Sequence, residues 1–299
     1  MAIKMNAQLR GNLKLHEPMQ KHTSWRTGGY AAQFYQPADV LDLSEFLRQL
    51  DPATEVYWVG LGSNLLVRDG GFNGVIICTS GVLNEIELMD EQHIRVETGV
   101  ACPKVAKFSA RQGLQGAEFL CGIPGTMGGA LAMNAGAFGG ETWNIVESVM
   151  TIDRQGEIHQ RFPKEFEIAY RHVRGAPDEW FTSVILKLEK GDKKQAQAMI
   201  KSLLAKRSAS QPTQQPNAGS VFRNPDGDYA ARLIELAGMK GICIGGACVS
   251  DKHANFIINT GHATAGDIEL LMEKVATTVK RETGVQLERE VCVVGDANL

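Results

Sequence analysis

The spacing of apolar and polar positions divides this chain into short strands, a few amphipathic helices and long glycine-punctuated loops. Over residues 39–48, Val40, Leu43 and Leu47 recur at helical spacing behind Asp39, which can cap the first turn, so a helix is predicted. Residues 56–59, 74–78 and the alternating 94–98 predict strands. Residues 103–112 predict a helix with proline in its first turn and Gly113 just past its end. Residues 145–152 and 157–162 flank Asp153-Arg-Gln-Gly156, a predicted hairpin with glycine where a positive φ is wanted. Residues 183–188 form a further predicted strand. Over residues 193–209, Ala196, Met199, Ile200, Leu203 and Leu204 share one face opposite Lys and Gln, predicting an amphipathic helix. A polar, proline-bearing linker follows at 210–217. Beyond it the pattern predicts a helix at 229–236 and a strand at 255–259. A longer helix is predicted at 265–283, with Thr264 and Asp267 as a capping box and Gly284 as its stop. A last strand is predicted at 286–294. The fold class is α+β, with a boundary near residue 200.

One stretch breaks the rhythm. Residues 121–140 are apolar and small, carry no charge before Glu141, and include Gly122, Gly125, Gly128, Gly129, Gly136, Gly139 and Gly140. Two shorter runs resemble it, Gly60-Leu-Gly-Ser-Asn-Leu-Leu66 directly after a predicted strand and Arg26-Thr-Gly-Gly29. Such loops either pack closely over a core or offer bare amides to a phosphate or a flat cofactor ring. Three in one chain are more than packing needs. A strand leading into a glycine loop is the layout of a phosphate-gripping turn. The G-x-G-x-x-G fingerprint nevertheless fails at Leu65, and no Gly-Lys-Ser/Thr follows.

Composition narrows the reading. Of 299 residues, 43% are hydrophobic and 22% charged, which excludes a disordered chain. A net charge of −3 gives no reason to expect nucleic acid or an anionic membrane as partner. No apolar run reaches membrane-spanning length and the first residues lack a signal-peptide core, so a cytoplasmic protein is expected. The six cysteines (78, 102, 121, 243, 248 and 292) show no C-x-x-C spacing and are expected to be reduced, buried thiols without disulfide or metal. The seven histidines show no metal-site spacing either. Candidate chemistry lies in Ala169-Tyr-Arg-His172, in Asn217-Ala-Gly-Ser220 and its continuation to Pro225, and in the 287–294 run. On a strand, Glu288 and Glu290 of that run would share a face. Taken singly, these read as a surface cation, a turn serine and a solvated carboxylate. Gly-x-Ser-x-Gly is absent.

Together, Trp25-Arg-Thr-Gly-Gly29, Gly60-Leu-Gly-Ser-Asn-Leu-Leu66, Gly122-Ile-Pro-Gly-Thr-Met-Gly-Gly-Ala130, Met133-Asn-Ala-Gly136, Tyr170-Arg171, Gly219-Ser-Val-Phe-Arg-Asn-Pro225 and Leu287-Glu-Arg-Glu-Val291 resemble the UDP-N-acetylenolpyruvoylglucosamine reductase (MurB) family, in order and over nearly the whole chain. The resemblance implies a PCMH-type, vanillyl-alcohol-oxidase-like FAD-binding region at 1–200, in two subdomains of about 1–80 and 81–200. A C-terminal α+β substrate domain at 201–299 would follow, its last strand packing back on the N-terminal region. It also implies non-covalent FAD, NADPH as co-substrate, a UDP-sugar substrate and a monomer. The reaction would be reduction of UDP-N-acetylglucosamine-enolpyruvate to UDP-N-acetylmuramate in peptidoglycan synthesis.

By the same match, Arg171 stabilises charge beside the substrate carboxylate, Glu290 donates a hydrogen bond best when protonated, and Ser220 delivers a proton. The implied cofactor residues are Arg26, Thr27, Gly28, Gly60, Gly62, Ser63, Asn64, Leu65, Gly122, Pro124, Gly125, Thr126, Gly128, Gly129, Asn134 and Gly136. The implied substrate residues are Tyr170, Arg223, Asn224, Lys252 and His253, with Lys206 and Arg207 as further candidates. Residues 179–184 run straight into strand and helix, so the chain resembles the shorter subtype without a tyrosine-bearing insertion. Two rival readings are a flavin oxidase of the same fold, for which Cys121 is the one tether candidate in the central stretch, and a nucleotide-sugar sensor without turnover.

Overall fold

The computed structural model describes residues 9–297, which divide into two compact units. The first takes residues 9–14, Gln33–Leu61 and Gly74–Ala205; the second takes Leu15–Ala32, Gly62–Asn73 and residues 206–297. The sequence pattern grouped all of 1–200, and the structure differs for two physical reasons. Trp25 is fully buried in one apolar cluster with Phe222, Leu233, Ile268 and Leu271, and its indole N–H donates to the Ile257 carbonyl at 2.8 Å. Leu65–Val67 is a strand paired in parallel with Cys292–Val294. Both segments belong to the second unit because of partners more than two hundred residues away, which no local pattern reveals.

In the first unit the helix Val40–Gln49 starts where predicted, with the Asp39 carboxylate accepting the Asp42 N–H at 2.9 Å. Leu43, Phe46 and Leu47 pack with Val75 and Ile77 of the strand Phe72–Cys78. That strand belongs to a four-stranded sheet ordered Asn12–Pro18, Tyr30–Gln36, Phe72–Cys78, Val56–Val59, the last pair parallel. A second core lies against a five-stranded antiparallel sheet ordered Ile158–Arg161, Val146–Asp153, Glu179–Lys187, His93–Glu97, Ile86–Leu88. Ile94, Val96, Val149, Val184 and Leu186 meet Val105 of the helix Cys102–Gln112 and Leu131 of the short helix Met127–Ala132 there. The expected hairpin is present, with Gly156 at φ +76°. The helix Lys193–Ser210 buries only Ala196, Ile200 and Leu203. Met199 and Leu204, assigned to the same buried face by spacing, are 52% and 36% exposed because the surface that receives the helix is narrower than its apolar stripe.

In the second unit the helix Ala265–Thr283 opens on the predicted capping box. Thr264 Oγ1 accepts the Asp267 N–H at 3.0 Å, and the Asp267 carboxylate accepts the Thr264 N–H at 3.0 Å. The last strand is shorter than its apolar pattern, Cys292–Val294, preceded by an isolated antiparallel bridge between Phe222 and Arg289. The cysteine expectation needs correction: Cys243 and Cys248 form a disulfide. They face each other across the hairpin of Cys243–Ile244 and Ala247–Val249, a register that brings two side chains together where sequence spacing alone did not. Cys78, Cys102 and Cys121 are buried thiols, and Cys292 is an exposed one. Among the described residues no helix is long and apolar enough to cross a membrane.

Asp39, Asp267 and Glu269 are held below the usual carboxylate range, first by the Asp42 backbone N–H, by the Thr264 backbone N–H and by the Arg68 guanidinium respectively. A carboxyl depressed in the fold stabilises it above the unfolded value, and that contribution is lost as pH falls through the folded value. The thermal midpoint is therefore expected to drop once pH falls below about 4. Asp267→Asn should flatten that fall. Parallel curves for variant and parent would remove Asp267 from the account.

Candidate active site

The first unit encloses a cavity of about 510 Å³, within the usual range of small-molecule sites. Gly60, Thr98, Thr126, Gly128 and Gly129 line it, together with Trp58 and Trp180, whose rings stack 5.3 Å apart. Glycine at 60 is dictated by close approach, since a Cβ there would lie 2.2 Å from Thr126 Oγ1. Among the described residues the hydroxyls of Thr98 and Thr126 and the indole N–H of Trp58 are buried behind the cavity wall without a hydrogen-bond partner. Leaving such groups unpaired costs about 1–3 kcal/mol each, a cost the fold bears beside this cavity. The expectation of bare amides here is corrected at two positions. The N–H groups of Met127 and Gly128 already donate to the carbonyls of Val100 and Thr98, at 2.8 and 2.9 Å.

Gly122, Pro124, Gly125, Asn134 and Gly136 do not line this cavity. The Gly125 carbonyl accepts the Cys102 N–H at 2.9 Å, Gly122 lies against the Phe138 ring, and Pro124 is exposed. Asn134 and Gly136 instead surround Arg171. The Arg171 guanidinium donates to the Gly136 carbonyl at 3.2 Å, makes a longer contact of 3.5 Å with the Asn134 carbonyl, and lies 4.9 Å over the Tyr170 ring. The Asn134 amide nitrogen donates to Glu141 Oε2 at 2.9 Å and to the Ala169 carbonyl at 3.2 Å, while its Oδ1 accepts the Trp143 N–H at 3.1 Å. Asn134, Phe138 and Arg171 all take left-handed backbone, at φ +44°, +54° and +54°. For residues other than glycine such conformations cost of order 1–3 kcal/mol, and they persist where surrounding contacts enforce them.

In the second unit, Ser220 and Glu290 come together through the main chain. The Glu290 N–H donates to the Val221 carbonyl at 2.8 Å, and the Arg223 N–H to the Glu288 carbonyl at 2.9 Å. Among the described residues Arg223 Nε is buried without a partner. Among the remaining candidates, Thr27 Oγ1 donates to the Ala263 carbonyl at 2.7 Å, and Arg26 is exposed at φ +57°. Gly28 abuts the Val67 carbonyl, the Gly62 carbonyl accepts the Ser24 N–H at 3.1 Å, Ser63 is half-buried, and Leu65 is core. The Asn64 amide donates to the Glu290 carbonyl at 3.0 Å. Asn224 Oδ1 accepts the Ala230 N–H at 3.1 Å where the helix Ala230–Leu236 begins, and Lys252 Nζ donates to the Ser208 carbonyl at 2.5 Å. His253 packs on Phe256 at 4.6 Å, and burial pushes its imidazole below the ordinary range. Arg207 donates to Gln211 at 3.1 Å, and Lys206 is exposed. Sequence reasoning missed Thr98 and the two tryptophans. Period-two alternation offered one signal: Thr98 continues the inward row of Ile94 and Val96, a polar residue where the core would take an apolar one.

The family model described as FAD binding domain matches residues 31–160, and that described as UDP-N-acetylenolpyruvoylglucosamine reductase, C-terminal domain, matches residues 211–294. The UDP-N-acetylenolpyruvoylglucosamine reductase of Legionella pneumophila (strain Lens) is 56% identical over 291 residues, covering 97% of this chain and 94% of its own. That of Methylococcus capsulatus is 54% identical, covering 99% and 97%. The crystal structure of the Thermus caldophilus enzyme (MurB) aligns with a TM-score of 0.82 at 32% identity, over 96% of this chain and 99% of that one. The expected FAD-binding α+β fold with a C-terminal α+β domain is therefore the fold of this protein. With agreement along both chains from end to end, this chain belongs to the UDP-N-acetylenolpyruvoylglucosamine reductase family, FAD-dependent oxidoreductases of peptidoglycan precursor synthesis.

Proposed function

We propose that the chain catalyses NADPH-dependent reduction of UDP-N-acetylglucosamine-enolpyruvate to UDP-N-acetylmuramate in the cytoplasm. The observation that carries the reading is the cavity of about 510 Å³ walled on one side by Trp58, Gly60, Thr98, Thr126, Gly128 and Gly129 of the matched FAD-binding region. Gly60, Gly128 and Gly129 keep the walls thin, and together with Thr98, Thr126 and the Trp58 ring they would receive the cofactor. FAD held there would supply hydride transfer between NADPH and the terminal carbon of the enolpyruvyl group.

The protein's own groups manage the charge that results. Hydride arriving at the terminal carbon leaves an electron pair on the carbon bearing the carboxylate, delocalised as an enolate. Arg171 presents a permanent fork of donors to that carboxylate, already aimed by the carbonyl of Gly136. Glu290, as a neutral acid, adds a hydrogen bond. Ser220 gives its hydroxyl proton to the carbon next to the carboxylate, and water returns a proton to the serine. Of the implied substrate residues, Tyr170 and Arg223 remain as contacts, the first exposed and the second with an unpartnered Nε. Asn224, Lys252 and His253 already have structural partners.

Purified protein is expected to be yellow, to bleach with NADPH and to regain colour with the enolpyruvyl substrate. Protein that cannot take up FAD overturns the reading. A Cβ at Gly129 meets nothing within 4 Å, so Gly129→Leu fills cavity space without disturbing the fold and should weaken FAD binding by about tenfold or more, the worth of about 1.4 kcal/mol. Equilibrium titration of the flavin-free protein measures this. Unchanged affinity would detach the cavity from FAD.

A further inference from the structure

We infer that the side-chain amides of Asn64 and Asn255 are positioning residues for the Ser220–Glu290 pair, and that Asn64 serves Glu290 rather than the cofactor. The inference rests on the roles proposed above for Ser220 and Glu290.

Three short segments, distant in sequence, meet here outside the regular strands, just before the pairing of Leu65–Val67 with Cys292–Val294 begins. Residues 221–223 and 288–290 share a single bridge, Phe222 with Arg289, flanked by the bonds from Glu290 N–H to Val221 and from Arg223 N–H to Glu288. So short a ladder does not fix its own register. Asn255 supplies what a neighbouring strand would. Its Oδ1 accepts the Phe222 N–H at 2.9 Å, its Nδ2 donates to the Phe222 carbonyl at 2.8 Å, and its own carbonyl accepts the Val221 N–H at 2.9 Å. Only an amide side chain carries a donor and an acceptor at that spacing. The residue is 4% exposed, so water does not compete for these bonds. They hold the two residues that follow Ser220.

Asn64 closes the other side. Its Nδ2 donates to the Glu290 carbonyl at 3.0 Å, and its backbone carbonyl accepts the Cys292 N–H at 3.0 Å. Glu290 is thus pinned at its N–H by Val221 and at its carbonyl by Asn64. The result is one continuous path: Asn255 to residues 221–222, to Glu290, to Asn64. Displacing a reacting group by about 1 Å is enough to slow chemistry by about 10²-fold.

The test uses the FAD-loaded full chain and measures the two half-reactions separately. Asn64→Ala removes the donor from a half-buried position. Asn255→Asp keeps size and the acceptor for the Phe222 N–H while losing the donor to the Phe222 carbonyl, which avoids hollowing a buried site. For both variants FAD content and NADPH-driven bleaching are expected to stay within about twofold of the parent. Reoxidation by the enolpyruvyl substrate should slow by about 10–100-fold, in kcat more than in KM. In flavin-free protein, amide hydrogen exchange across residues 286–294 should quicken in Asn64→Ala. FAD loss, an equal fall of both half-reactions, or reoxidation at the parental rate overturns the inference. If the parent itself shows no reductase activity, the reading of the site fails, while the exchange measurement still decides the clamp.

Discussion

Ser220→Ala is expected to leave bleaching of the flavin by NADPH at its normal rate and to slow its reoxidation by the enolpyruvyl substrate by about 10²–10⁴-fold, the range for a lost general acid. The reason is the division of labour between the two half-reactions. Hydride leaving NADPH needs no proton from the protein, whereas the enolate formed on the substrate collapses back unless a proton reaches its carbon. Ser220 follows Gly219 at φ +74°, and the next residue is tied to both Asn255 and Glu290, so removing a single oxygen should not disturb the backbone. Ser220→Cys keeps a donor, a stronger acid at that, and should recover part of the rate. Rapid-mixing absorbance resolves the two phases. If both slow together, or if FAD is lost, Ser220 is structural and the proton comes from elsewhere.

Arg171→Ala should lower substrate-driven reoxidation by about 10²–10³-fold, as deletion of an oxyanion-stabilising donor does. Lysine at this position should recover little, because an ammonium cannot reproduce the planar fork that reaches past the Gly136 carbonyl. The backbone supplies a control. Arg171 sits at φ +54°, a conformation glycine adopts freely, so Arg171→Gly should be at least as stable as Arg171→Ala and just as inactive. Thermal midpoints and kcat together separate the outcomes. An active Arg171→Gly enzyme would refute the charge-stabilising role, and a glycine variant clearly less stable than the alanine one would refute the strain.

Much of the fold was legible where a short window holds the whole cause. The helix Ala265–Thr283 announces itself through Thr264, Asp267 and Gly284, and the structure starts and stops it there. The helix Val40–Gln49 follows from Asp39 and three leucine and valine positions. The hairpin around Gly156 needed only its turn residues. The site was legible in part. Gly60, Gly128 and Gly129 line a cavity while Gly122, Pro124, Gly125, Asn134 and Gly136 lie elsewhere, and the unpaired polar groups beside it belong to Thr98, Thr126 and Trp58. Of these, Thr126 alone stood among the candidates. Exposure of Met199 and the Cys243–Cys248 disulfide escaped prediction because each depends on the partner surface opposite, not on spacing.

Strands such as Asn12–Pro18, Tyr30–Gln36 and Ile86–Leu88 gave no local signal. By itself the sequence determined the longer helices with their caps, the Gly156 hairpin and several strands, the family, and with it the cofactor and reaction class. These follow from interactions reaching four or five residues along the chain, or from motifs whose order is preserved. Tertiary structure alone decided that Trp25 and Leu66 belong to the core built around the helix Ala265–Thr283, that Asn64 reaches the Glu290 carbonyl, and that Asn255 brackets Phe222. The physical reason is that a buried polar group or a large apolar side chain takes whichever complementary partner the whole fold brings near. Its identity is settled by packing across two hundred residues, and no local window contains it.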